Sequence, residues 1–415
     1  MNNEPNETTN CEVCGNSWLA PVLNLGSHPM CDDLVPVGDD RICREYPIEI
    51  LYCTECFTAL QRFQVPKKDL FPQTYHYRAR FTADVLNGMA ELVASCKAEF
   101  GSLAGKKVLD IGCNDGSLLG LFRGHGAITL GIEPTGAYRD AEQKGHRIFN
   151  EFLSEDIADA ILASYNELDF ITFTNVFAHI ENLPALLGSL KHLLAPQTVI
   201  IIENHYLGAV LERHQFDTFY HEHLRTYSCT SFVHMARSLD VALLKVELPS
   251  RYGGNIRVFL GHSNRPGSAS TIDVGELGTR EAGFLDEFAE LRKGLQYWRR
   301  AKQQFIRQQV RQYGKLRAKA FPGRAAILIR LLELNEDSIS AVYEKPGSLK
   351  IGHYVPGTRI PICSDESLFT QSDLTHPVLN LAWHIPLEIR SYMTDHGYSG
   401  PVIDITRPED FAPEQ

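Results

Sequence analysis

Between residues 105 and 262, apolar runs of five to seven residues alternate with stretches whose apolar positions follow helical spacing. The runs at 107–111, 129–133, 169–175, 198–203, 242–247 and 255–261 predict strands, with helices between most of them. That alternation predicts a doubly wound α/β sheet. Upstream, residues 83–100 carry a helical pattern, while 11–70 is a Cys-, Pro- and Asp-rich stretch with short apolar runs such as 46–51. Downstream, the polar break at 263–280 precedes a long charged helix over about 281–314. Apolar runs at 325–332, 339–343 and 378–383 then alternate with turns at Lys345-Pro346-Gly347 and Val355-Pro356-Gly357. The expected division is a small module at 1–70, a central α/β domain at 71–262 with 71–100 as helical lead-in, and a connector helix plus C-terminal α/β domain at 263–415.

Composition narrows the classes. Hydrophobic residues make up 44% and charged residues 22%, an ordinary globular balance. No apolar run approaches the roughly 18–20 residues of a membrane span. The polar start, MNNEPNETTN, has no signal-peptide core. The expectation is a cytoplasmic protein with no membrane partner, monomeric or weakly homo-oligomeric. The net charge of −11 argues against nonspecific nucleic-acid binding. Ten cysteines in 415 residues are too sparse for a disulfide scaffold, so clustered ones read as metal ligands.

Such a cluster exists. Cys11-x-x-Cys14 and Cys53-x-x-Cys56 form two CxxC knuckles, the donor set of tetrahedral zinc. Cys31 and Cys43 are alternative ligands. Four thiolates leave no open position for substrate, so the zinc is expected to be structural, a staple for a module too small for a core of its own.

The run Val108-Leu109-Asp110-Ile111-Gly112-Cys113-Asn114-Asp115-Gly116-Ser117 reads as a strand entering a glycine-containing ligand loop. Glu133 ends the next predicted strand about 20 residues after Gly112, where a carboxylate accepts hydrogen bonds from ribose hydroxyls. The GxGxxG that cradles a pyrophosphate is absent, and Asn114 and Asp115 make the loop acidic, which suits a cationic sulfonium. The predicted cofactor is S-adenosylmethionine (SAM), held by Asp110, Gly112, Asn114, Asp115, Gly116 and Glu133, with Asn175 at the end of the 169–175 strand.

Candidate chemistry lies further on. His179 follows strand 169–175 at the edge where a doubly wound sheet binds ligands, and Glu203-Asn204-His205-Tyr206 reaches the same edge. Tyr220-His221-Glu222-His223 packs two imidazoles, a phenol and a carboxylate into four residues. The i, i+2 histidine spacing does not match a helical HExxH zinc site, so acid/base chemistry is the better reading. Tyr75-His76-Tyr77 adds two phenols.

In combination, the paired knuckles, LDIGCNDG, Asn175–His179, Tyr220–Leu224, Tyr252–Val258, Pro356–Ile362 and Leu381-Ala382-Trp383 resemble the three-domain SAM-dependent C-methyltransferases of nucleotide-linked 4-keto-deoxysugars. The resemblance implies a class I SAM-methyltransferase sheet, a structural zinc module and a C-terminal substrate-binding domain. It implies methyl transfer to C3′, alpha to the 4′-ketone of a dTDP- or GDP-linked sugar, in branched-chain deoxysugar biosynthesis. By motif, His223 would be the general base, with Tyr220, Glu222, His179 and Tyr77 lining the sugar site. The competing readings are a SAM-dependent O- or N-methyltransferase of another small metabolite, and a zinc-bearing binding protein with an inactive methyltransferase fold.

Overall fold

In a computed structural model that describes residues 5–71, 78–81, 83–263 and 272–413, the six expected runs and one more build a seven-stranded sheet. Its strands are β1 (Lys107–Ile111), β2 (Ile128–Ile132), β3 (Arg147–Phe149), β4 (Phe170–Thr174), β5 (Val199–His205), β6 (Ala242–Glu247) and β7 (Asn255–Gly261). Their spatial order is β3-β2-β1-β4-β5-β7-β6. The pairings are parallel except those of β7, which runs antiparallel to both β5 and β6. This is the expected class I SAM-methyltransferase sheet. The order reverses beside β1, so the carboxyl ends of β1 and β4 flank the crevice where such sheets take their ligands.

The central strands are buried along nearly their whole length, as a parallel sheet covered on both faces requires. One cover is the helix Ala83–Phe100, which buries Val85, Met89, Leu92, Val93 and Cys96. Their spacing of three to four residues keeps them on one stripe. That stripe packs with Val108, Leu118, Phe122, Phe170, Val199, Ile201 and Phe259 in one core cluster.

The chain divides into two compact units, the first comprising Met1–Pro21, Leu51–Val210 and Glu222–Leu285, the second Val22–Ile50, Leu211–His221 and Asp286–Gln415. Within the first unit, Ala59–Gln61, just past the second cysteine knuckle, pairs antiparallel with Arg225–Thr226. The second unit holds a five-stranded parallel sheet: β8 (Leu316–Lys319), β9 (Ile339–Glu344), β10 (Ile362–Ser364), β11 (Val378–Asn380) and β12 (Val402–Asp404), in the order β10-β9-β8-β11-β12. It is α/β, as the apolar runs predict.

Some boundaries differ from the pattern. The second strand stops at Ile132, leaving Glu133 just beyond it. The polar break contains part of a helix, Val274–Glu281, capped by Asp273, whose carboxylate accepts from the Gly275 and Glu276 amides. The long helix then runs Phe284–Tyr313.

Candidate active site and metal centre

The four knuckle cysteines fall in the first unit with their sulfur atoms all within 4.8 Å of one another. Sγ of Cys11 lies 3.4 Å from that of Cys56, and Sγ of Cys14 lies 3.5 Å from that of Cys53. Sulfurs around a tetrahedral ion with bonds of about 2.3 Å stand at comparable separations. Each knuckle is closed by a backbone bond back to its first cysteine, Gly15 N to Cys11 O and Phe57 N to Cys53 O, both with positive φ at the residue after the pair. The donor set fits zinc with no open position. Cys31 and Cys43 belong to the second unit and are not ligands in this set.

The loop after β1 is built by hydrogen bonding as much as by glycine. Gly112 (φ +72°) donates its amide to Ile132 O, and a Cβ there would come within 2.6 Å of Val176. Its glycine is therefore required by packing and backbone sign together. Gly116 (φ +73°) precedes the helix Ser117–Gly124 and abuts Ala141. Asn114 (φ +50°) donates its amide to Glu133 Oε2 at 2.9 Å and accepts from Ala79 N. Glu133 is buried, and Thr135 gives its amide and hydroxyl to Oε1. Three of the roughly four acceptor positions of a carboxylate are thus used, leaving one open to a ligand.

Asp115 has a different task from the one its acidity predicts. Oδ1 accepts from the Ser117 amide and hydroxyl, Oδ2 accepts from Arg80 N, and Arg80 and Lys144 lie within ion-pair distance. Its charge is met by the protein, so it fixes the loop and the start of the helix and does not supply a free negative face. Asp110, buried at the end of β1, accepts from Thr172 Oγ1 at 2.7 Å. Burial pushes its carboxyl up to about 7, against the Thr172 bond and with help from Glu133. Burial raises Glu133 too. Asn175 (φ +55°) follows β4 and donates its amide to Glu203 O. SAM fits this edge: around it Thr174 Oγ1 and both polar atoms of Asn204 are buried with no partner among the described residues, the kind of group a bound polar ligand satisfies.

The histidines converge at the same sheet edge. His179, after β4, and His223 stack with ring centroids 5.1 Å apart, and His205, the last residue of β5, lies 5.2 Å from His223. Phe71 stacks on the other ring, His179, at 5.3 Å. The backbone holds this pair: Leu224 N donates to Ala178 O. Burial lowers His179 to about 4, so it is neutral at physiological pH, and its Nε2 has no hydrogen-bond partner among the described residues. His205, to which the sequence pattern gives only a place on the edge, is the third member. Its nearness to His223 depends on the fold bringing residues 205 and 223 together.

Within the Tyr220–His223 stretch, His221 has a separate, structural role. His221 belongs to the second unit, where its Nε2 donates to Tyr46 O at 3.0 Å, and burial lowers it to about 4. It is a packed, neutral, structural histidine. Tyr220, half-buried, is in the same unit, whereas the buried Glu222 and His223 are in the first. Tyr75, His76 and Tyr77 lie outside the described residues.

Comparison with known proteins matches three family models in order along the chain. A "Putative zinc binding domain" matches residues 11–71, a "Methyltransferase domain" 76–246, and a "C-methyltransferase C-terminal domain" 250–401. The chain is 26% identical over 386 residues to the C-methyltransferase NovU of Streptomyces niveus, covering 91% of this chain and 90% of that protein. Solved structures with similarity include magnesium protoporphyrin IX methyltransferase from Synechocystis PCC 6803 with bound SAH (18% identity, TM-score 0.34, 43% of this chain and 84% of that one). Another is a SAM-dependent methyltransferase from Clostridium acetobutylicum ATCC 824 (12% identity, TM-score 0.34, 43% and 92%).

Proposed function

The chain belongs to the three-domain SAM-dependent C-methyltransferases, and from that premise we propose that the carbon it methylates is C3′ of a nucleotide-linked 4-keto-deoxysugar. The observation that carries this reading is the His179–His205–His223 cluster beside the SAM loop edge. A carbon next to a ketone becomes a nucleophile only when a base removes its proton, and a neutral imidazole is suited to that near neutral pH. O- and N-methylation need no such carbon acid, and the family match favours carbon.

His223 takes the C3′ proton and becomes an imidazolium. A cation 5.1 Å away would oppose that charge; His179, held neutral by burial, does not. Hydroxyl and imidazole donors around the ketone oxygen stabilise the enolate, the role assigned to Tyr220, Tyr77 and His179. Glu222 completes the polar lining. SAM supplies the electrophilic methyl group when bound, and Asp110, Glu133 and the Gly112–Gly116 loop orient it. In this reading residues 1–70 are the zinc module, 71–262 the methyl-transfer domain and 263–415 the part that holds the nucleotide, dTDP or GDP. The enzyme works in the cytoplasm, as a monomer or weak homo-oligomer, in branched-chain deoxysugar biosynthesis. No helix among the described residues is long and apolar enough to cross a membrane.

The test is incubation with SAM and a panel of dTDP- and GDP-linked 4-keto sugars deuterated at C3′. The expected result is a gain of one methyl group with loss of the deuterium, abolished in His223→Ala. Retention of the deuterium in a methylated product, or full turnover by His223→Ala, overturns the reading.

A further inference from the structure

Arg225 is completely buried yet carries a charge, and the partners that offset the cost of its burial belong to two separate stretches of the first unit. Its Nε donates to Glu12 Oε2 at 2.9 Å and its Nη2 to Glu12 Oε1 at 2.8 Å, a two-pronged pair. Nη1 donates to Ile180 O at 2.5 Å, and Nη2 also to Glu181 O at 3.2 Å. Glu12 lies inside the first zinc knuckle, between Cys11 and Cys14. Ile180 and Glu181 directly follow His179. Arg225 itself sits two residues after His223.

We infer that Arg225 is a positioning residue that ties the zinc knuckles to the two histidine-bearing loops, so that the metal sets the spacing of His179 and His223 without touching substrate. The backbone around it runs the same way. Arg225 pairs with Leu60, in the strand that leaves the second knuckle, and Gln61 N donates to Leu224 O at 2.9 Å. Hydroxyls of Ser228 and Ser231 both donate to Cys56 O at 3.1 Å. The second knuckle thus grips the segment just past His223, and the first reaches the segment just past His179 through one guanidinium. Only a planar guanidinium meets a carboxylate edge and two carbonyls at once; a lysine ammonium keeps the charge but not the fork. Coordination fixes the backbone that carries Glu12, and Glu12 fixes Arg225.

The inference rests on His223 being the base, so the test separates the two. Glu12→Gln and Arg225→Lys are compared with wild type and His223→Ala for zinc content, SAM affinity, exchange of the C3′ proton with solvent deuterium, and the imidazole NMR resonances of His179 and His223. Zinc and SAM binding are expected to persist in the two tie variants. Proton exchange is expected to fall about 10- to 100-fold, the scale of a misplacement near 1 Å. Zinc chelation should shift both imidazole resonances in wild type, and in Arg225→Lys should shift that of His179 no further. Wild-type exchange in zinc-loaded Glu12→Gln, while His223→Ala exchanges nothing, overturns the tie alone. Exchange surviving in His223→Ala overturns the base assignment, and the resonance comparison then decides the tie. Should Arg225→Lys fail to fold, Glu12→Gln, which keeps the shape and removes the charge, decides it.

Discussion

At the scale of single residues, burial sorts groups of the same type into different roles. His146 and His179 are both pulled down to about 4 by burial, and the Thr129 hydroxyl lies 2.8 Å from the ring of His146. A depressed histidine favours the folded state in its neutral form. The stability it contributes is complete above the unfolded value of 6.5 and disappears as pH falls from there through 4. Asp110 has the opposite sign. Its contribution is complete below 3.8 and is lost as pH rises through 7. Denaturant midpoints of the ligand-free protein across pH 4–8 should therefore show a shallower acid limb in His179→Phe and a smaller fall toward pH 7 in Asp110→Asn. The motif residues Asp110, Glu133, His179 and His223 are legible in the sequence because each follows a strand or loop pattern. The neutralised charge of Asp115 is not, since Arg80 and Lys144 approach it only in the folded chain. Nor is the separation of His221 from His223, because adjacent residues of a motif look equivalent until their contacts are known.

At the scale of elements, the strands with long apolar runs are legible and the short one is not. Arg147–Phe149 spans three residues, with one fully buried, and offers no alternation to read. Turn glycines give a sharper test. Gly112→Ala places a Cβ 2.6 Å from Val176 at a φ of +72°, so it should cost roughly 2 kcal/mol or more and weaken SAM binding. Gly120→Ala, in the helix Ser117–Gly124 with nothing within 4 Å of the new Cβ, should gain about 0.5–1 kcal/mol. Chemical denaturation of the pair, with SAM titration by calorimetry, checks both directions. Equal effects would mean that the loop tolerates a side chain and that the glycine there is incidental.

At the scale of the whole molecule, zinc is the stabilising element whose loss should be felt furthest. The four cysteines bring residues 11–16 against 53–58, and both knuckles bond to the segment after His223. Chelation, or Cys53→Ser, should lower the melting temperature and release one zinc per chain, read together by calorimetry and a colorimetric zinc assay. Retained stability on full zinc release would assign that role to packing. The two knuckles announce themselves by spacing, but the pairing of Ala59–Gln61 with Arg225–Thr226 joins positions more than 160 apart, and no local pattern carries it.

The interleaving of the two units constrains how this architecture can be recombined. The chain passes between them at 21/22, 50/51, 210/211, 221/222 and 285/286. A single crossover between two such genes therefore leaves at least one unit assembled from both parents, and a clean exchange requires all five junctions at once. One of those junctions falls between His221 and Glu222, inside the most chemically dense stretch of the sequence. An exchange that respects both units would thus split the Tyr220–His223 stretch, and libraries built on these enzymes will diversify more safely by substitution within a unit than by swapping segments.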